Sequence, residues 1–218
     1  MLFRSLLVCR IIAPGKIIKS VEDYKESDSE QKKRLVSDIE YAKNNSDVVI
    51  MCLHCGGQFN KAPTKYTKET AEFCFDRGVD IIVGNHEHIV QGSDFSSEKK
   101  IAYCLGNFSS NYSIDRGPYD KNAECSVLLH LSFDKNDGNI SVEPSFSVMI
   151  SMKDRGGRIV TSPLFDAYCS GEDIQHLTEA NTKCVNSFLG TSFKSVEPKE
   201  EYIVSDLIES SKQEVRSC

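Results

Sequence analysis

The amino-acid sequence predicts an α/β domain that changes character midway, from a parallel helix–strand layer to an antiparallel region. Three observations carry this reading. Helical and strand patterns alternate over residues 27–105. The strand runs there are continuously apolar, as when both faces of a strand are covered. After residue 125, two further strand runs flank Asp137-Gly138-Asn139, a strong hairpin signal.

Residues 1–26 read as an irregular N-terminal segment. From Ser27 to Asn45 the pattern is an amphipathic helix. Ser27 and Glu30 have capping-box spacing, and Leu35, Ile39 and Ala42 share one face. Asp47 to Leu53 is an apolar run of strand length. A polar loop follows, then a second helix from Tyr66 to Arg77 with Gly78 placed to end it. Val79 to Val83 and Ile101 to Leu105 are the next two strands. Cys125–Phe133 and Ile140–Ile150 form the hairpin. Residues 166–190 are expected to hold a C-terminal helix, with its pattern clearest over 172–189 and Ile174, Leu177 and Val185 near one face. Residues 191–218, rich in Ser, Glu and Lys, read as a polar, mobile tail with room for a short helix near 203–208.

The composition narrows the classes of function. With 218 residues, 39% of them hydrophobic, the chain suffices for one good-sized domain. Net charge is −6, and the densest basic run, Lys32-Lys33-Arg34, lies on a helix beside Glu30 and Asp38. Nucleic-acid binding needs concentrated positive charge, so no nucleic-acid partner is expected. No apolar run approaches the roughly 20 residues that span a bilayer. The opening residues lack the apolar stretch and cleavage site of a secretory signal. The nine cysteines form no disulfide framework and fit a reducing compartment. The default expectation is therefore a cytoplasmic location.

Chemistry concentrates at the strand ends. His54 directly follows the first apolar strand, and His86 and His88 follow the second, in Gly84-Asn85-His86-Glu87-His88. In open α/β sheets ligands gather beyond the carboxyl ends of the strands, so two neighbouring parallel strands would bring these imidazoles to one rim. Gly56-Gly57 and Gly84 permit sharp turns there. Neutral imidazole suits Zn, Mn or Fe, and three convergent histidines make a partial metal shell. Cys52 and Cys55 have the spacing of a metal or redox pair, but no second pair accompanies them. His130 lies on a strand face and His176 on a helix beside Gln175, without ligand context.

Three blocks carry a resemblance to a known family. His54-Cys55-Gly56-Gly57-Gln58 resembles the His-Trp-Gly-Gly-Glu segment of CapA-type capsule-synthesis proteins, the poly-γ-glutamate branch of the calcineurin-like metallophosphoesterases. Gly84-Asn85-His86-Glu87-His88-Ile89-Val90-Gln91 is similar to their Gly-His-His-Pro-His-Val-Leu-Gln, and residues 101–108 to their Ile-Ala-Tyr-Ser-Leu-Gly-Asn-Phe. Order and spacing also agree, from about residue 30 to about 150.

The resemblance implies a calcineurin-like four-layer sandwich, with residues 27–165 as the C-terminal portion of its domain. It also implies a two-metal hydrolase centre of phosphoesterase type. His54 and His86 would ligate one divalent ion and His88 the other, with Asn85, Gln91 and Asn107 supporting ligands or substrate; no residue is assigned as catalytic. Cys55, Gln58 and Glu87 depart from the family's aromatic residue, Glu and Pro. The family's N-terminal Gly-Asp, Asn-Leu-Glu and Asn-Asn-His blocks, which bring the carboxylates, have no counterpart before residue 47. The expectation is thus an N-terminally truncated fold with a partial site, completed by a missing N-terminal half or by other capsule-synthesis components. The alternative is a non-catalytic remnant or accessory subunit. The family is usually found in the cell envelope, against the cytoplasmic default read from this chain.

Overall fold

A computed structural model of the chain describes residues 5–11, 29–108, 121–171 and 173–216. The apolar run after residue 47 becomes the strand on which the first sheet is built. This strand, β2 (Val48–His54), pairs in parallel with β1 (Ser5–Ile11) on one side and with β3 (Ile81–Asn85) on the other. β3 in turn pairs in parallel with β5 (Lys100–Ala102), and β4 (Ser93–Asp94) closes the sheet antiparallel, in the order β1-β2-β3-β5-β4. The irregular segment expected over residues 1–26 is corrected at residues 5–11. Ser-Leu-Leu-Val-Cys-Arg-Ile is long enough for a strand, and seven residues of β2 offer it a ladder.

Helices α1 (Ser29–Asn45) and α2 (Lys65–Phe75) lie on one face of this sheet, because Leu35, Ile39 and Ala42 of α1 and Ala71 and Cys74 of α2 share a cluster with Val49, Met51 and Leu53. The strand order advances in one direction from β1 to β3, so right-handed crossovers put both helices on the same side. The expectation of a β2 buried on both faces is corrected accordingly: Ile50 and Cys52, on the opposite face, are only half-buried. Ser27 of the expected capping box lies outside the described residues. α2 stops at Phe75 rather than Arg77, because its last turn tightens. The Arg77 and Gly78 amides donate to Cys74 and Phe75 three residues back, and Gly78 adopts φ +98°.

The second half is antiparallel, as expected. β6 (Cys125–Asn136) follows a 3₁₀ turn at Lys121–Glu124, and β7 (Asn139–Lys153) pairs with it along its length. Asn136 faces Asn139, leaving a two-residue turn with Asp137 at φ +50° and Gly138 at φ +86°. Both values are positive, as a type I′ turn requires. β8 (Ile159–Pro163) and β9 (Tyr202–Ile203) both pair with β7.

The single helix expected over 166–190 is two. α3 (Leu164–Cys169) ends at a turn containing Gly171 at φ +79°, and α4 (Ile174–Leu189) begins beyond it. The polar tail is also corrected. Phe193, Val196, Tyr202 and Val204 are buried in the second core, and α5 (Val204–Arg216) extends well past the short helix expected. The reason is a set of apolar anchors spaced irregularly among polar neighbours. The Tyr202 hydroxyl donates to the Glu197 carbonyl and accepts from Lys199 N at 3.0 Å and Asn181 Nδ2 at 2.8 Å. That network satisfies the backbone of an otherwise irregular stretch. Phe146, fully buried, stacks on Tyr202 at 5.2 Å and meets Phe188 at 4.8 Å, at the centre of this core.

Candidate functional site: a histidine rim at the ends of β2 and β3

The parallel register puts His54 opposite Asn85, so the two strands end side by side. β3 begins two residues later than the run Val79–Val83 predicts and runs on to Asn85. The Asp80 side chain, accepting from Val49 N at 2.7 Å, fixes this register. The chain then turns within one residue. Gly84 is required just before the turn, because a Cβ there would sit 2.0 Å from the Tyr103 carbonyl oxygen.

His54 and His86 meet: His86 Nδ1 lies 3.0 Å from His54 Nε2, with the rings edge to face. His86 holds φ +130°, a region glycine occupies freely and a histidine does not, and His88 holds φ +64°. Phe59, on the facing loop, has φ +62°. Such residues cost about 1–3 kcal/mol each and persist where the surroundings over-determine them. Asn85 is exposed and its side chain accepts from His86 N at 2.8 Å, holding the turn.

His88 stands apart from that pair, its ring centroid 6.4 Å from that of His86. Its Nδ1 lies 2.7 Å from Asn107 Oδ1, and Phe59 stacks on its ring at 5.5 Å. Gln91 is buried and belongs to the scaffold. Its amide donates to the Asn60 carbonyl at 2.6 Å, while Phe59 N donates to the Glu87 carbonyl at 2.8 Å. These two bonds clamp the loop after β2 onto the loop after β3.

Electrostatics favour a neutral His86 ring. Partial burial, and then the neighbouring His54 and His86–His88 repulsion, hold the His86 pKa below the ordinary imidazole range. Cys55 and Cys104 lie beneath the rim, where burial pushes both thiols up to about 12. Thiolates are therefore disfavoured, which weighs against a metal or redox role for Cys55.

The sequence marks Glu87 only as a departure from the family's proline and does not foretell its burial, since the loop around it is polar and its neighbours are the histidines. It is fully buried, and neither carboxylate oxygen has a hydrogen-bond partner. Burial pushes its pKa up to about 7. Gly56, at φ +125°, is what admits it: a Cβ there would lie 2.0 Å from Glu87 Oε1. An ordinary carboxyl titrates near 4.5, so between 4.5 and about 7 the folded chain keeps a proton that the unfolded chain has lost. Stability is complete below that window and falls as pH rises through it. We expect the wild type to lose on the order of 2–3 kcal/mol across this range. Glu87→Gln should remove the slope, as denaturation midpoints at a series of pH values would show.

The residues present fit an ion in part. Two ligand nitrogens about 2.1 Å from one ion stand roughly 3.0–3.4 Å apart, the separation of His54 and His86. Among the described residues, no group of three or more His, Cys, Asp or Glu side chains has the spacing to hold an ion. The pair offers two nitrogens to an ion, and among the described residues no carboxylate joins them.

The comparisons with known proteins agree with the three blocks. Residues 14–112 match the family described as bacterial capsule synthesis protein PGA_cap. The chain is 38% identical over 66 residues to the capsule biosynthesis protein CapA of Bacillus anthracis, a segment covering 30% of this chain and 16% of that protein. It is 34% identical over 70 residues to the PGA biosynthesis protein CapA of Bacillus subtilis (strain 168), covering 32% of this chain and 18% of that one. The chain thus matches less than a fifth of either relative's length. Among the described residues, no helix is long and apolar enough to cross a membrane. Over residues 14–112 the chain is similar to the bacterial capsule synthesis proteins of the CapA type, a likeness that covers part of its length.

Proposed function

We propose that the histidine rim is the nitrogen-bearing side of a two-metal hydrolase centre of phosphoesterase type, serving capsule or poly-γ-glutamate biosynthesis. The observation that carries this reading is the 3.0 Å approach of His54 Nε2 and His86 Nδ1 from the ends of two adjacent parallel strands. His54 and His86 would hold one divalent ion (Mn, Fe or Zn) and His88 a second. Bound ions of this kind generate hydroxide at neutral pH and stabilise charge at phosphorus. The chain's own contribution is to keep the His86 imidazole neutral, to fix the turn and the rings through Asn85, Asn107 and the Phe59 stack, and to hold the two loops together through Gln91. Bridging carboxylates would come from outside the described residues, from further chain or another capsule-synthesis component. The complete fold would be the calcineurin-like four-layer sandwich, with the two sheets seen here as its middle layers.

A second reading is favoured by one observation. His54 and His86 bond each other directly, with no carboxylate beside them among the described residues, as in an accessory subunit that keeps the fold without the chemistry. Hydrolysis of p-nitrophenyl phosphate esters separates the two readings. Turnover that requires added Mn²⁺, Fe²⁺ or Zn²⁺ and stops with chelator supports the hydrolase. Substoichiometric metal at the rim, with no turnover, supports the accessory subunit.

A further inference from the structure

We infer that Asn107 is a positioning residue that fixes His88 in the tautomer protonated at Nδ1, so that the ring's lone pair stands on Nε2. The geometry is specific. With the amide oxygen turned to the ring, Asn107 Oδ1 lies 2.7 Å from His88 Nδ1 and can only accept, so in this arrangement that nitrogen carries the hydrogen. Asn107 is 7% exposed and cannot swing away to solvent. The ring has little freedom to turn either. Phe59 stacks on it at 5.5 Å with 28° between planes, and Phe59 is pinned by the bond from its amide to the Glu87 carbonyl. His88 itself sits at φ +64°, where few alternative backbone settings are open to it.

The assignment makes the three imidazoles unlike one another. The His54–His86 pair meets through Nε2 of one ring and Nδ1 of the other, whereas His88 commits Nδ1 to Asn107. A histidine whose second nitrogen is fixed by an outer partner is a stronger and better-oriented ligand, and loss of that partner costs about 10–100-fold in metal affinity. The value of the tautomer for an ion rests on the hydrolase reading proposed above; the tautomer itself does not.

That separation makes the inference testable without metal. In the ¹⁵N-labelled full chain, kept metal-free with chelator and held about two pH units above the ordinary imidazole value, two-bond ¹H–¹⁵N correlations report the tautomer of each ring. His88→Gln identifies the His88 signals by their loss. We expect a pyrrole-type Nδ1 and a pyridine-type Nε2 at His88. Asn107→Leu should shift the ring towards the Nε2-protonated form, and Asn107→Asp, which keeps an acceptor, should restore the Nδ1-protonated one. An Nε2-protonated His88 in the wild type overturns the inference, even if the leucine variant fails to fold. So does a tautomer that Asn107→Leu leaves unchanged. If the tautomer is as stated but titrated Zn²⁺ does not bind, the inference stands and the hydrolase reading fails.

Discussion

Replacing either His54 or His86 by alanine is expected to lower Mn²⁺ or Zn²⁺ affinity by more than about a hundredfold, because even loss of an outer partner costs 10–100-fold. The two nitrogens sit 3.0 Å apart, and each supplies half of what the described residues offer an ion. Removing one leaves a single imidazole at a strand end, no better than a surface histidine. Stability should move the other way or not at all. His54 is exposed, and His86→Gly should relieve the strain of φ +130° while still abolishing binding. His130→Ala and His176→Ala serve as controls. His130 lies 3.3 Å from Ser147 Oγ and His176 3.4 Å from Glu124 Oε2, both away from the rim. Isothermal titration across the five proteins measures all of this. Binding that survives in His54→Ala or His86→Ala would place the ion elsewhere.

Phe146→Ala is expected to destabilise the chain by about 3–5 kcal/mol, the cost of a large aromatic removed from a closed core. Phe146 is fully buried between Phe188 of α4 and Tyr202 before α5, so the cavity would open where three parts of the sequence meet. Neither α4 nor the segment from 193 to 204 has another aromatic anchor on β7. A domain's whole margin is about 5–15 kcal/mol, so the urea midpoint should fall by a large fraction. A loss under about 1 kcal/mol would mean that the second core is less tightly closed than its burial indicates.

Much of the fold was legible because it rests on local signals. The runs at β2 and β3, the helical face of Leu35, Ile39 and Ala42, and the Asp137-Gly138 turn each declare themselves within a few residues. β1 was not legible: its ladder exists only because β2 lies beside it, and Arg4 and Arg10 interrupt its apolar pattern. The segment after residue 190 was missed for a similar reason. Phe193, Val196 and Tyr202 are spaced too irregularly for helix or strand, and they bury through contacts with α4 that no short window contains.

At the site the same division holds. Strand-end placement brought His54 and His86 together on paper as it does in space. The family blocks drew attention to Asn107, and the structure adds its bond to His88. Gln91 proves to be a loop clamp, a role that depends on the Asn60 carbonyl 31 residues away. Glu87 could not be singled out from its type or its neighbours. Its burial is created by Gly56 crossing over it, and a buried carboxylate looks no different in sequence from an exposed one.

The proposed centre requires that a pair of ring nitrogens, from two different strands, share one cation. Anomalous scattering from crystals of the chain grown with Mn²⁺ addresses that directly. A peak about 2.0–2.3 Å from both His54 Nε2 and His86 Nδ1 is the predicted result. Crystals with Mn²⁺ absent from this pair, or with the two rings rotated so that these nitrogens no longer face each other, would contradict it.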